Sequence, residues 1–370
     1  MKSYLHFLKS SSKMLLIVLS LIPFGLFAQD APLRLGVAGV THGHLGEVVR
    51  RIGRGDFQIV GVAEPNDTYR HHNDLVGRVD ASLFYKDLGE MLDATKPEVV
   101  VAYGSIYDHE NVVEACAPRH IHVMVEKPLA TTLKAAKRIQ KLAEKYDIMV
   151  LTNYETTWYS SNQYAYKLIQ EGQIGNLVRL NIYDGHEGPK EIGCSDMFLE
   201  WLTDPVLNGG GALIDFGCYG ANLATWLMHG ERPTSVYCVT KQHKPNVYPK
   251  VDDDATIVVK YPGTTVQIMA SWCWSQGRKD MYVYGMKGSI FQKTPTQMET
   301  FIDRKNEGPF EAPRLDTPIN DSFRFLKATI RREHKLPPYD LSSLENNLLV
   351  VEILDAARKS AKTGKVVKLK

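Results

Sequence analysis

Cysteine is scarce in this chain: Cys116, Cys194, Cys218, Cys238 and Cys273 are five in 370 residues, scattered and odd in number. They show neither CxxC nor zinc-ligand spacing, which argues against a structural zinc module and predicts no bound metal. A chain of this length can bury enough surface to fold without cross-links. Long apolar runs are also few. One extends from Met14 to Phe27, preceded by Lys2, Lys9 and Lys13, broken by Pro23 and Gly25 and ending at Ala28. It is shorter than the roughly 20 apolar residues of a spanning helix. Its layout is that of a secretory signal peptide, so residues 1–28 are expected to be removed before Gln29. The mature protein is then expected in the periplasm or secreted, without a membrane partner. An excess of positive charge is missing too. Three of the 44 basic residues lie in residues 1–28, which hold no acid, leaving 41 basic residues against 42 acidic ones. Nothing like a phosphate-backbone footprint remains, and nucleic acid is excluded as a partner. No internal repeat or low-complexity segment is visible.

What is present is the composition of a packed globular protein, 44% hydrophobic and 23% charged, long enough for two domains. Short β-rich runs at 33–38, 58–63, 98–102, 121–125 and 148–151 alternate with segments of helical periodicity. Among these are Leu45, Val48, Val49 and Ile52, then Leu133, Ala136, Ile139 and Leu142. The alternation predicts an α/β fold with a doubly wound parallel sheet over residues 29–153. From Tyr154 the pattern becomes a helix at about 160–171 and strands near 177–184, 235–241, 255–261, 264–274 and 281–284, separated by turns such as Pro262-Gly263. Residues 154–370 are therefore expected to form an α+β domain with a mainly antiparallel open sheet. On the 264–274 strand Val266, Ile268, Ala270, Trp272 and Trp274 share one face. That face wants either a covering layer of the same chain or a second copy, and a homo-oligomer through this sheet is expected. A final helix, 342–362, carries an apolar stripe from Leu344 to Leu354 and stops at Gly364.

Immediately after the first strand comes Gly36-Val37-Ala38-Gly39-Val40-Thr41-His42-Gly43-His44, where a dinucleotide fold places its pyrophosphate. Counted from Gly39, the GxGxxG pattern puts Thr41 and His44 where glycines belong. The hydroxyl of Thr41 is a candidate phosphate contact, as are the rings of His42 and His44. Glu64 ends the second strand about 25 residues on, near the interval for a carboxylate that grips adenosine ribose. A carboxylate there repels a 2′-phosphate and favours NAD over NADP.

Two further segments carry chemistry. In Val123-Met124-Val125-Glu126-Lys127-Pro128 a buried strand stops at a lysine beside a carboxylate. In Gly209-Gly210-Gly211-Ala212-Leu213-Ile214-Asp215-Phe216-Gly217-Cys218-Tyr219-Gly220-Ala221-Asn222 a glycine loop feeds a helix. Asp215, Tyr219 and Asn222 fall there at i, i+4 and i+7, predicting one polar face. Trp158, in Asn153-Tyr154-Glu155-Thr156-Thr157-Trp158 at the domain junction, can stack on a nicotinamide or sugar ring or pack at a hinge. His186, on a glycine-flanked loop, is placed for a polyol contact.

The ordered set of the Gly39 turn, Glu64, His109, Glu126-Lys127-Pro128 and the Gly-Gly-Gly segment resembles the Gfo/Idh/MocA oxidoreductases over essentially all of residues 29–370. The runs 251–255, 284–290 and 360–365 resemble that family's second-domain signatures. The resemblance implies that Lys127 is the catalytic lysine beside nicotinamide and substrate hydroxyl, and that Glu126 and Pro128 shape the turn presenting it, with a Lys127-Pro128 bond that can be cis. Many members carry histidine where this chain has Tyr219 and aspartate where it has Asn222. The tyrosine form resembles the branch around glucose-fructose oxidoreductase and dihydrodiol dehydrogenase. Gly104-Ser105-Ile106 replaces the family's Thr-Pro-Asn, which makes Ser105 a candidate cofactor contact. The chemistry implied is oxidation of a secondary alcohol, with proton transfer by Tyr219. Lys127 would lower the phenol's pKa and bind the hydroxyl, and Asp215 would orient them. Candidate cofactor contacts are Gly39, Thr41, His42, Glu64, Ser105, Glu126, Pro128 and Trp158; candidate substrate contacts are His186 and Asn222. Outside the cytoplasm a dissociating cofactor would be lost, so tightly held NAD and a sugar or glycoside substrate are expected. Two alternatives stand beside this reading: glycoside cleavage by transient oxidation and elimination, and a carbohydrate-binding homologue without hydride transfer.

Overall fold

The parallel sheet of the N-terminal half forms as its near-continuous Val, Ile and Leu runs dictate, because both faces of such strands must be covered. In the computed structural model, which describes residues 31–369, β1 (Leu33–Ala38), β2 (Phe57–Ala63), β3 (Phe84–Tyr85), β4 (Val99–Ala102), β5 (His122–Glu126) and β6 (Val150–Asn153) lie in the order β3-β2-β1-β4-β5-β6. All pairings are parallel. The crossing elements are α1 (Leu45–Val49), α2 (Asp67–His71), α3 (Leu88–Thr95), α4 (His109–Cys116) and α5 (Leu133–Tyr146). This is the doubly wound order whose direction reverses between β1 and β4, so a crevice opens at the carboxyl ends of those strands. The first helix is shorter than its periodicity suggested: α1 ends at Val49, and Ile52 lies in the turn beyond it. The expected leader, residues 1–28, lies outside the described residues.

The second half holds α6 (Ser160–Gln170), β7 (Leu177–Gly185), α7 (Asp196–Leu202), α8 (Ala212–Asp215), α9 (Gly217–Leu227), β8 (Ser235–Lys241), β9 (Asp254–Lys260), β10 (Thr265–Ser271), β11 (Arg278–Gly285), β12 (Gly288–Gln292), β13 (Gln297–Ile302) and β14 (Lys305–Glu311). They are followed by α10 (Ser322–Ile330), α11 (Leu344–Thr363) and β15 (Val367–Lys368). Nine strands form one sheet in the order β14-β13-β12-β11-β7-β10-β9-β8-β15, antiparallel except where β7 meets β10. Trp272 and Trp274 fall just beyond β10 rather than within it.

The inner face of this sheet is the core. Val266, Ile268, Ala270 and Trp272 are all fully buried within the chain, and α9 lies directly over them. Gly220 permits that approach, since a Cβ at this position would fall 2.4 Å from Ile268 Cγ2. The expectation that this face pairs with a second copy is corrected: its own helices cover it. Exposed apolar side chains instead sit on the outer face, at Tyr237, Val239, Tyr284 and Phe301.

Helix α10 returns to the first sheet. Phe323, Phe325, Leu326 and Ile330 pack among Leu33, Leu35, Val37, Val99 and Val101, with the Phe57 and Phe323 rings 4.8 Å apart.

Candidate active site

The glycine loop before α8 is held by the acidic run 252–254. Asp252 accepts the amides of Gly211 at 3.1 Å and Leu213 at 2.7 Å, so the start of α8 is capped from another strand's approach. This delivers Asp215 to the end of β5, where Lys127 Nζ donates to Asp215 Oδ1 and, at 3.3 Å, to its backbone oxygen. The other carboxylate oxygen accepts Trp272 Nε1 at 2.9 Å. Both ionic side chains are 6% exposed. Burial opposes their charges, but mutual attraction and hydrogen bonding prevail, holding Lys127 above and Asp215 below their ordinary pKa values. The Lys127-Pro128 peptide is cis.

Tyr219 lies one turn further on. Its ring centroid is 5.3 Å from Lys127 Nζ, with Phe216 stacked at 5.9 Å and Tyr154 edge-on at 5.4 Å. The three predicted site residues do not share one helical face, however. The helix breaks at Phe216 between α8 and α9, and Asn222 is fully buried against α11, donating to Leu341 O at 2.8 Å and Asn347 Oδ1 at 3.4 Å. Asn222 therefore joins two helices and is not a substrate contact. The pKa expectation is corrected as well. Burial, then Glu155, Cys218, Asp215 and Glu126, push the Tyr219 phenol well above its ordinary value.

A second lysine was missed. Lys279 Nζ stands 4.8 Å from the Tyr219 ring centroid and bonds Glu155, whose other oxygen accepts Tyr159 Oη at 2.6 Å. The run Arg278-Lys279-Asp280 reads as solvated charge, but β11 begins at Arg278. Alternation from Met281 and Val283 back to Lys279 was the available signal. These groups border a cavity of about 610 Å³ that is also lined by His186, Arg278 and Tyr282. His186 thus faces a cavity. Its Nδ1 accepts Gly188 N at 2.9 Å, its ring meets Phe216 edge-on at 4.9 Å, and burial lowers its pKa.

The crevice at the β1–β4 switch is a cavity of about 470 Å³ lined by Gly39, Thr41, Glu64, Ser105 and His109, among others. Gly39 has φ +78°, and a Cβ there would fall 2.5 Å from Gly104 N, so only glycine fits. Glu64 is nearly buried and accepts the amides of Val40 at 3.2 Å and Asn66 at 2.9 Å. Each carboxylate oxygen keeps a further lone pair. Ser105 Oγ donates to Asp108 at 2.7 Å. Helix α7 forms one wall through Met197, Glu200 and Trp201, with Tyr69 Oη donating to Glu200.

The turn itself differs from the expected phosphate cradle. Gly39 N bonds Ala63 O, while Thr41 N and His42 N both bond Tyr103 O, at 3.0 and 2.9 Å. His42 does not line this cavity: it is 2% exposed, packed against Phe198 and Trp201 with ring centroids 5.0 and 5.4 Å away. Its expected phosphate contact is replaced by a place in an aromatic cluster beside a smaller cavity of about 300 Å³. Glu126 is likewise committed, to His44 Nδ1 at 2.8 Å and Asn153 Nδ2 at 2.8 Å. Its pKa falls to about 2 despite burial, chiefly through His44, whose own pKa rises because Glu126 outweighs burial. His42, His44 and Glu126 bring three ligand atoms within 4.8 Å of one another. Yet His42 Nδ1 accepts the amide of His44 at 3.0 Å, which puts the neutral ring's proton on Nε2 and presents a donor where a metal needs a lone pair. Trp158 packs edge-on to Phe325 at 5.1 Å and donates to Asn153 Oδ1 at 3.2 Å. These contacts fit the hinge-packing role.

A Rossmann sheet with a crevice at its switch point, beside a lysine, aspartate and tyrosine gathered from two halves of the chain, defines the class: a dinucleotide-dependent oxidoreductase. The family description "Oxidoreductase family, NAD-binding Rossmann fold" matches residues 33–154, and "GFO/IDH/MocA C-terminal domain" matches residues 162–291. The chain belongs to the Gfo/Idh/MocA family of oxidoreductases. It is 26% identical to trans-1,2-dihydrobenzene-1,2-diol dehydrogenase of Xenopus laevis over 235 residues, covering 62% of this chain and 66% of that protein. With the rhizopine catabolism protein MocA of Rhizobium meliloti it shares 26% over 211 residues, 56% of this chain and 61% of the relative. The chain thus spans somewhat under two thirds to about two thirds of these relatives. Similar solved folds include aldose-aldose oxidoreductase from Caulobacter crescentus complexed with glycerol (TM-score 0.76, 19% identity, 91% of this chain and 100% of that one). Another is an inositol dehydrogenase homolog complexed with NAD+ from Azotobacter vinelandii (0.77, 17%, 92% and 98%).

Proposed function

We propose that this protein is a periplasmic, NAD-dependent oxidoreductase that oxidises a secondary hydroxyl of a sugar or glycoside while keeping its cofactor bound. The observation that carries the reading is the convergence of Lys127, Asp215 and Tyr219 at the carboxyl edge of the parallel sheet. NAD suits the crevice at the β1–β4 switch: Gly39 lets a ligand approach the backbone, Thr41 and Ser105 line the wall, and Glu64 has lone pairs left for ribose hydroxyls. The charge of Glu64 favours NAD over NADP. When bound, the nicotinamide supplies the hydride acceptor.

The chain's own residues handle the rest. Lys127 spends two donors on Asp215 and keeps a third N–H for the substrate oxygen. Tyr219 takes the hydroxyl proton. The cavity beside Lys279 and His186 receives the sugar, and the rings of Tyr159 and Tyr282 offer stacking surfaces. Retention of the cofactor is supported by α7, which walls the crevice and is tied to α2 through Glu200 and Tyr69. The periplasmic location rests on the leader pattern of residues 1–28. The exposed outer sheet face is the surface proposed for a homo-oligomer.

The test is to denature protein purified from its exported pool and identify any released dinucleotide by mass, then add sugars to intact protein and follow the reduced nicotinamide. Reduced cofactor with a carbonyl product supports the reading. Net glycoside cleavage without accumulated reduced cofactor would move it to the oxidation–elimination alternative. Neither a bound dinucleotide nor uptake of added NAD would leave a carbohydrate-binding homologue, the reading favoured by the internally bonded turn amides.

A further inference from the structure

Tyr219 has to hold negative charge, however briefly, if it is to take a proton from an alcohol, and it sits where burial opposes that charge. Two ammonium groups face its ring, Lys127 at 5.3 Å and Lys279 at 4.8 Å. They are not equivalent. Lys127 is enclosed with Asp215, whose second oxygen is held by Trp272, so withdrawing the lysine would strand a buried carboxylate. The side chain of Lys279 is 21% exposed and that of Glu155 41%. Glu155 keeps the hydroxyl of Tyr159 when the lysine leaves, so the Lys279 pair can open at small cost.

The third carboxyl near Lys279 does not compete for it. Asp184 lies directly across the β7–β11 ladder from Lys279. It is fully buried, and neither carboxyl oxygen has a hydrogen-bond partner among the described residues. Burial raises its pKa well above the ordinary aspartate value, which opposes the charge that would compete for Lys279. Other titratable groups near Tyr219 include Cys218 on its own helix and Tyr154 after β6, both kept neutral by burial, and His186 across Phe216, whose pKa burial lowers. Glu126 lies beyond them, paired with His44.

From this geometry we infer that Lys279 is the positioning residue that sets the ionisation of Tyr219, with Glu155 as the counter-charge that restrains it. Lys279 leaves Glu155 for the phenol oxygen when substrate fills the adjoining cavity. With the phenol proton released to solvent as Lys279 arrives, the alcohol proton passes to the Tyr219 oxyanion while the C–H electron pair leaves as hydride to the oxidised nicotinamide. This assignment rests on the oxidoreductase reading above, but one arm of its test does not.

In full-length protein labelled with 13Cζ-tyrosine, the Tyr219 resonance is assigned by its loss in Tyr219→Phe and titrated with pH. Lys279→Met should move its titration upward by one pH unit or more, about tenfold in the ionisation constant. Lys279→Arg should restore it, and Glu155→Gln should move it downward. The second arm is the pH profile of single-turnover nicotinamide reduction. In Lys279→Met the rate at neutral pH should fall about tenfold or more and recover as pH rises, whereas a merely structural role would lower it evenly at all pH values. A Tyr219 resonance that behaves identically in wild type and Lys279→Met, including one that titrates in neither, overturns the assignment. If sugars give no turnover in wild type but the resonance shifts as stated, the oxidoreductase reading fails while the Lys279–Tyr219 coupling stands.

Discussion

Two lysine–carboxylate pairs flank the same tyrosine, and they differ in how much water reaches them. Lys127–Asp215 is sealed under Trp272; Lys279–Glu155 borders an open cavity. Identical chemistry therefore serves two ends: the sealed pair fixes geometry, because breaking it leaves an uncompensated charge in the interior, while the open pair can exchange partners.

The sharpest way to break this contrast is Tyr219→Phe, which should reduce single-turnover nicotinamide reduction by about 10²–10⁴-fold while cofactor occupancy, measured after denaturation, stays as in wild type. Next is Lys127→Met, expected to cost about 3–5 kcal/mol in the urea midpoint and to abolish turnover. Adding Asp215→Asn should recover part of that stability, and strict additivity would show that the pair is not coupled. Lys279→Met should instead change the midpoint by about 1 kcal/mol or less. A loss as large as that of Lys127→Met would erase the distinction between the pairs.

The pH windows differ as well. Asp215 is depressed and Lys127 elevated, so their contribution is present from above the free aspartate pKa of about 3.9 to below the free lysine value of about 10.4. It fades only as acid passes the lowered value or base the raised one. The His44–Glu126 pair works over a narrower range. Glu126, lowered to about 2, loses its contribution as pH falls below about 4.3 toward 2. His44, raised, contributes fully only below about 6.5 and loses it as pH climbs through its folded value. His44→Gln should therefore lower the thermal midpoint most near pH 5, by the equivalent of about 1 kcal/mol, with the difference shrinking above pH 7. A deficit that stays constant into alkaline pH would show that the ion pair is not its source.

The parallel sheet was legible because its strands are apolar runs with helices between them, a pattern set by burial on both faces. Lys127 was legible because the strand that carries it ends abruptly in charge and proline. Lys279 was not, since a strand beginning in Arg-Lys-Asp looks like a loop until its register with β7 is known. His42 was misplaced because a polar side chain near a crevice has no direction in sequence, and it turns into an aromatic neighbour supplied from far along the chain, Phe198. Asn222 failed differently. The i+7 spacing assumed an unbroken helix, and the break at Phe216 rotated it onto α11.

The return of α10 to the first sheet makes the chain's two halves inseparable by a single cut. A fragment ending at Asn153 would lack Phe323, Phe325 and Leu326 and would expose the apolar side chains of β1 and β4 that they cover. Any exchange of second domains between members of this architecture must therefore carry its own α10 across or supply a substitute wedge, which couples the choice of substrate to the solidity of the nucleotide fold.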